Sequence, residues 1–421
     1  MKKMLFIGSC CVFLLACVPE DQVLPTEFLG DANATWSNNT DDSLSLATSD
    51  SAVRTLRSFG AQADANVDDT EAIKRAFQSH HPLDGEGLSY RVQGAIRMEG
   101  PNELRHATLV DNGLGETPMS IEVYNKNDVV LDRVTFDRGT NPEVGDISRS
   151  RTLSIIQANN VRLKNLTFFG HGRGTALCLI DVTQGSVDSV TVRDMGWKND
   201  EVPNEQLIGM WLIRTTNVTV QRSTIQNLYE IRDDGTTFTR ETDGITFGGS
   251  SSFVVADTYI QNVGEGIDIT GSDGNTGFEI RNCVVKDAYT YGIKCSNSAY
   301  NGKIYDSEVH RAGYACFVFE GPSEENLPFL TRDIQVYRCT AYDAGSNGHW
   351  PRSKIAGFLV QKNKFDKDYP QDIGIYYSKA IDNQDHKTMK YGFYSEIENV
   401  GNRAEHNDSY GHIYEGEDGF N

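Results

Sequence analysis

Two acids open the question of chemistry. Asp243 stands before Gly244 in "ETDGITF", and Glu265 stands before Gly266 in "VGEGIDI". Asp268, Tyr291 and Lys294 lie in the same kind of segment, "GEGIDIT" and "YTYGIKC". Two carboxyl groups held close together resist ionising together, so one keeps its proton beside a neighbour that has lost it. Glycosidic-bond hydrolysis needs that division between acid and base. A lysine with a tyrosine points to a different reaction, β-elimination from a uronate, with Lys294 as base and Tyr291 as acid. Elimination also needs something to neutralise the uronate carboxylate. Asp268 with Asp243 or Glu265 could hold calcium for that purpose, whereas hydrolysis requires no cofactor. Lys294 sits among acids, which favour its charged form and make it a poor base, so hydrolysis is the stronger reading.

These residues gain meaning only if something aligns them. Gly244, Gly266 and Gly292 each precede an apolar-x-apolar pair, and Ala315, Gly357 and Gly392 take the corresponding place further on. Between these segments runs a second pattern: "FVVADTYIQN", "FEIRNCVVKD", "GKIYDSEVHR" and "IQVYRCTAYD". Each is a short alternation, a turn residue that is often Asp or Asn, and another short alternation. The period is about 22–26 residues, in the range of solenoids. Period-2 alternation in very short strands, repeated in phase, predicts a single-stranded parallel β-helix in which stacked coils bury a common core. Roughly nine or ten coils are expected over residues 85–415. Glycine is expected at the coil corner for its dihedral freedom.

Stacking brings side chains far apart in sequence into columns, with adjacent coils about 4.8 Å apart. Aligned on the glycine, one outward column holds Asp243, Glu265, Tyr291 and Tyr314. The next holds Trp211, Thr246, Asp268, Lys294 and Phe317. Insertions at 229–241, 320–333 and 345–355 interrupt the repeat and are expected to wall a groove on this face. Trp211 with Arg214, Arg240, Tyr314, and Trp350 with Arg352 are the candidates for holding a sugar chain by stacking and by ion pairing.

The ends of such a stack need covers. "VDDTEAIKRAFQ" has Asp68 and Glu71 at capping-box spacing and Ala72, Ile73, Ala76 and Phe77 on one face, which predicts a short helix over 68–78. "SFGAQADANVDDTEAIKRAF" followed by "PLDGEGLSYRV" resembles the opening of pectate-lyase-superfamily proteins of the pectate lyase 3-like kind. The resemblance implies an all-β, right-handed parallel β-helix with a short N-terminal capping helix, a scaffold shared by polysaccharide lyases, glycoside hydrolases, epimerases and phage tailspikes. "ETDG" and Glu265 are in addition similar to the acid motifs of polygalacturonases. The likeness then fades, because Tyr291 stands at the place of that family's histidine and Phe317 near that of its arginine.

The chain has 421 residues, with 59 acidic and 39 basic side chains and a net charge of −20. That balance argues against nucleic acid, whose binding is driven by basic surface. It also requires local basic groups if the glycan is acidic. The first 16 residues, with Lys2, Lys3 and an apolar run, read as a secretory signal. Leu14-Leu15-Ala16-Cys17 resembles a bacterial lipobox, which implies lipidation at Cys17 and a place on the outer membrane or cell surface of a Gram-negative bacterium, the membrane being touched through the lipid alone. Residues 17–55 are rich in Asn, Asp, Ser and Thr and read as a tether, leaving 56–421 as the folded body. Five cysteines remain in that body, Cys178, Cys283, Cys295, Cys316 and Cys339; an odd number argues against a complete disulfide framework, and they read as buried fillers. The functional expectation is a lipoprotein that hydrolyses an extracellular acidic polysaccharide. A uronate lyase or epimerase, and a noncatalytic glycan-binding β-helix, are the alternatives.

Overall fold

A computed structural model describes residues 52–111, 113, 118–139, 151–171, 174–198, 207–231, 237–238, 242–271, 273–322, 330–346, 354–362, 369–397, 401–411, 413–418 and 420. The signal segment, Cys17 and nearly all of the tether lie outside these residues, as do Arg240, Trp350 and Arg352.

The alternating segments form short strands that pair in parallel with their counterparts one coil away, producing three sheets around a common core. In the first sheet, strand Thr242–Gly248 pairs with residues 265–270, which pair with 291–295, then with Ala315–Glu320, Ala356–Gln361 and Tyr391–Ser395. The second sheet carries 254–256, 279–281, 303–305 and their successors, and the third carries 259–263, 284–288 and 308–310. Among the described residues the third sheet counts twelve strands from Leu83–Val92 to Asp408–Tyr410, more than the nine or ten coils expected. The early coils lack the glycine signature by which the repeat is recognised in sequence.

Inward positions form ladders. Ile245, Ile267, Ile293, Phe317, Phe358 and Phe393 are in register and buried. The last three rings stack at 4.7 and 4.8 Å between centroids, a contact that only in-phase coils can make. All five body cysteines are free and buried, as small core fillers should be.

The corner chemistry departs from expectation. The left-handed backbone between the second and third sheets is taken by Asp257, Asn282, Asp306 and Arg338, with φ between 50 and 53°. Asn and Asp tolerate that region better than most residues, which explains their recurrence. The repeated glycines serve a different need. A Cβ on Gly244 would meet the Gly266 carbonyl oxygen at 2.4 Å, one on Gly266 the Gly292 oxygen at 2.3 Å, and one on Gly292 the Cys316 oxygen at 2.6 Å. Glycine is required there because the coils approach too closely for any side chain, and positive φ is not the reason.

The helix forms over Thr70–Gln78, and Ala72, Ile73, Ala76 and Phe77 are buried against the first coil. The capping box does not form. Asp68 instead accepts from the amide of Thr70, and Glu71 pairs with Lys74 at 2.8 Å on the surface. Asp69 turns away from the helix and accepts from the amides of Gln62 and Ala63, at 2.7 and 3.2 Å. The Asp-Asp-Thr motif therefore ties "GAQA" to the helix start. The folded body also begins slightly earlier than residue 56, since Arg54 and Thr55 already pair with Leu83 and Asp84.

Candidate functional site

The first sheet carries the candidate residues on its outward face, and register decides which of them meet. Asp243 is the pairing partner of Glu265, which pairs with Tyr291; Thr246 pairs with Asp268, which pairs with Lys294. Trp211 pairs with Thr246 and so heads the second column. These parts of the two expected columns hold.

One coil further the alignment slips by a residue. Ala315, and not Tyr314, pairs with Tyr291, while Val318, and not Phe317, pairs with Lys294. Cys316 occupies the glycine place, so Phe317 points into the core. Tyr314 still reaches the site from the turn before the strand, its ring packing edge-on against Tyr291 at 5.7 Å. Arg214 does not join them. It lies beyond the strand end, bound bidentately to Asp181 at 2.7 and 2.9 Å. Trp211 is partly exposed, with the Arg151 guanidinium 5.4 Å over its ring.

Lys294 organises the centre. Its ammonium donates to Glu265 Oε2 at 3.0 Å and lies 3.6 Å from Asp268 Oδ1. It also sits 5.6 Å from the Tyr291 ring centroid. The Lys294 ammonium thus stands between Glu265 and Asp268. Among the described residues no three acids, histidines or cysteines converge as a metal site. Glu265 and Lys294 keep 19 and 14 % of their side-chain surface, and Asp268 only 6 %. Asp243 is 3 % exposed and accepts from Thr246 Oγ1 at 3.2 Å.

Burial sets the protonation of these acids more than their mutual repulsion does. Asp243 is raised well above the usual carboxylate range, first by burial and then by the charges of Glu265 and Asp268. Asp268 is pushed up to about 7 by burial, against the pull of Lys294. Burial also raises the phenol of Tyr291 well above its ordinary value.

Two participants were not anticipated. Glu320 ends the strand that contributes Val318, and burial lifts its carboxyl to about 7, again against Lys294. Gln361 Nε2 donates to Glu320 Oε1 at 2.9 Å and to the Tyr291 hydroxyl at 3.3 Å. Both occupy the outward position two residues past Val318 and Leu359. The available signal was the parity of the strand, an acid closing the otherwise apolar "CFVFE". Beyond the acids the same face turns apolar: Ala315, Val318, Ala356 and Leu359 form a buried cluster with Tyr291, Tyr314, Tyr391 and Tyr394 around it.

Residues 151–340 match the family described as right handed beta helix region. An exopolygalacturonase from Thermotoga maritima superposes with a TM-score of 0.57 at 11% identity, covering 85% of this chain and 91% of that one. A family 28 exopolygalacturonase from Yersinia enterocolitica gives 0.49 at 10% identity, covering 84% and 79%. An alginate lyase from Paenibacillus sp. str. FPU-7 gives 0.42 at 12%, covering 83% and 96%. No curated protein sequence matches the chain. The protein is a right-handed parallel β-helix, of the architecture that the N-terminal resemblance implied.

Proposed function

We propose that this protein hydrolyses glycosidic bonds of an extracellular polysaccharide, as a lipoprotein anchored through Cys17. The observation that carries the reading is the pairing of buried Asp243 with Glu265 one coil away, Glu265 being the acid that receives the Lys294 ammonium. Asp243, whose carboxyl burial raises well above the usual carboxylate range, delivers a proton to the glycosidic oxygen as that bond breaks. Glu265 takes a proton from the water that attacks the anomeric carbon. Asp268 assists by keeping Lys294 beside Glu265. Sharing a fold with an exopolygalacturonase is in keeping with a polysaccharide substrate.

Elimination has less support. Lys294 is engaged by two acids, and the raised phenol of Tyr291 is a poor base at neutral pH. The deciding experiment is digestion of a glycan panel by wild type, Asp243→Asn and Glu265→Gln. New reducing ends without an ultraviolet-absorbing unsaturated uronate, falling about 100-fold or more in each variant, are expected for an acid–base pair. Undiminished rates in both variants remove these roles, and unsaturated products move the assignment to elimination.

A further inference from the structure

The second sheet carries a hollow of about 580 Å³ on its outer face, lined by Asn301, Lys303, Asp333, Gln335 and Asp372. That volume is in the range of ligand sites. The hollow spans three coils, since Lys303 pairs with Gln335, and Gln335 with Gly374, two residues past Asp372. Lys294 and Lys303 share a coil but belong to different sheets, so the hollow is separate from the acid centre. Its lining is left open by the rest of the molecule. Polar side chains of other coils bond across to the coil before: Asn282 donates to Asp257 at 3.1 Å, and Arg311 and Arg338 each grip an aspartate, Asp287 and Asp306. In the hollow Asp333 is engaged by Arg332. Asn301, Lys303, Gln335 and Asp372 are exposed and give their side chains to no hydrogen bond or ion pair among the described residues. They place two amides, an ammonium and a carboxylate side by side, and such a mixture of donors and acceptors matches hydroxyl groups, which both donate and accept. An aromatic column runs beside them. Tyr305, Tyr337 and Tyr376 are in register, and the first two rings stack at 5.0 Å. Tyr376 does not continue the stack. A Cβ on Gly374 would meet Tyr376 Cε2 at 2.5 Å and its hydroxyl oxygen at 2.6 Å, so the ring leans back along its strand over Gly374, towards Asp372 and the hollow.

We propose that this face of the second sheet is a further glycan-binding site, which holds a stretch of polysaccharide along the helix axis while the first sheet does the chemistry. The inference rests on the reading of the protein as one that acts on a polysaccharide. Coils recur about every 4.8 Å, close to the length of one sugar residue, so a chain lying along the axis meets one set of polar groups per sugar. The Tyr376 ring borders that path and offers its surface to the apolar face of a sugar.

The test uses the full chain with polygalacturonate, polymannuronate, galactan and mannan. Retardation in gels containing each polymer reports binding, hydroxyl-radical labelling of tyrosines reports where it binds, and reducing ends report turnover. At least one polymer is expected to retard the chain and to shield Tyr376 from labelling at least about twofold. The double variant Lys303→Ala with Gln335→Ala changes exposed positions, where substitution costs little stability. It is expected to weaken retardation at least about fivefold and to abolish the shielding. Retardation by none of the four polymers, an unshielded Tyr376 beside a polymer that binds, or a double variant that matches wild type overturns the proposal. Shielding that the double variant loses, without reducing ends from any polymer, leaves it standing and sinks the hydrolytic reading. Turnover with Tyr376 unshielded does the reverse.

Discussion

Replacing Asp268 by asparagine should make the protein more stable, and only at alkaline pH. The carboxyl of Asp268 has a pKa of about 7 in the folded chain against 3.8 for an ordinary aspartate, and burial is the main cause. Below pH 4 it is protonated whether the chain is folded or not. Between about 4 and 7 the unfolded chain has lost the proton and the folded chain keeps it, so stability declines as pH rises. Above 7 the decline is complete. A difference of about 3 units corresponds to about 4 kcal/mol, of which roughly 2.5 kcal/mol falls between pH 5 and pH 8. Asparagine preserves size and polarity and removes the titration. What is lost in exchange is the contact with Lys294, 3.6 Å from Asp268 Oδ1, and that ammonium keeps its 3.0 Å bond to Glu265. Urea midpoints of wild type and Asp268→Asn at pH 5 and pH 8 give the double difference, in which the titration of acids that do not act on Asp268 cancels. The variant should gain roughly 2.5 kcal/mol more at pH 8 than at pH 5. An equal offset at both pH values, or a variant less stable at pH 8, would refute a buried and strained Asp268.

Three further outcomes follow from the same geometry. Lys294→Met leaves Glu265 and Asp268 without their cation and should cost about 3–5 kcal/mol in denaturant titrations. Because Lys294 also pulls the general acid Asp243 down, the alkaline limb of the pH–rate profile should move to higher pH; an unmoved limb would remove Lys294 from the electrostatics of the site. Gly266→Ala should lower stability by about 3 kcal/mol or more, since its Cβ would lie 2.3 Å from the Gly292 oxygen and 2.5 Å from Val285 Cγ1. Gly94→Ala has nothing within 4 Å and pays only for its φ of +69°, about 1 kcal/mol, so equal thermal shifts for the two would contradict the close-approach explanation. Finally, turnover should survive exhaustive chelation, because the protein's own ammonium stands between Glu265 and Asp268; loss in chelator with recovery on adding calcium would return the site to metal-assisted elimination.

How far the sequence could be read follows from what keeps coils in phase. Where successive coils have nearly constant length and a glycine marks the strand, as from Asp243 through Glu265 to Tyr291, counting from that glycine finds the true neighbours. At the following coil the glycine is replaced by Cys316, and alignment on Ala315 is off by one residue. In a strand a slip of one reverses the face, which turned the core residue Phe317 into an apparent groove residue and hid Val318. Glu320 and Gln361 escaped for a related reason: they lie at strand ends, beyond any recurring marker, and their proximity to Lys294 depends on side-chain reach. Arg214 was placed by nearness to Trp211 along the chain, but the strand ends between them and the backbone turns at Arg214, where φ is 50°. The N-terminal motif identified the cap correctly, while the bonds made by Asp68, Asp69 and Glu71 were visible only in three dimensions.

The solenoid makes the acid cluster costly in a way that a less regular fold could avoid. Coil spacing of about 4.8 Å is imposed by the backbone, so like charges at equivalent positions cannot separate by moving their main chains. The remaining adjustments are to pair, to hold a proton, or to be replaced. This protein uses the first at Glu265, through Lys294, and the second at Asp243, Asp268 and Glu320. It uses the third in the next two coils, where Ala315, Val318, Ala356 and Leu359 occupy the columns that the acids occupied before. A buried row of protonated acids contributes little to stability, and hydrophobic replacements were available two coils away. The retention of acids on three of the four consecutive strands from Thr242–Gly248 to Ala315–Glu320 therefore argues for a task in which a proton is given up and taken back.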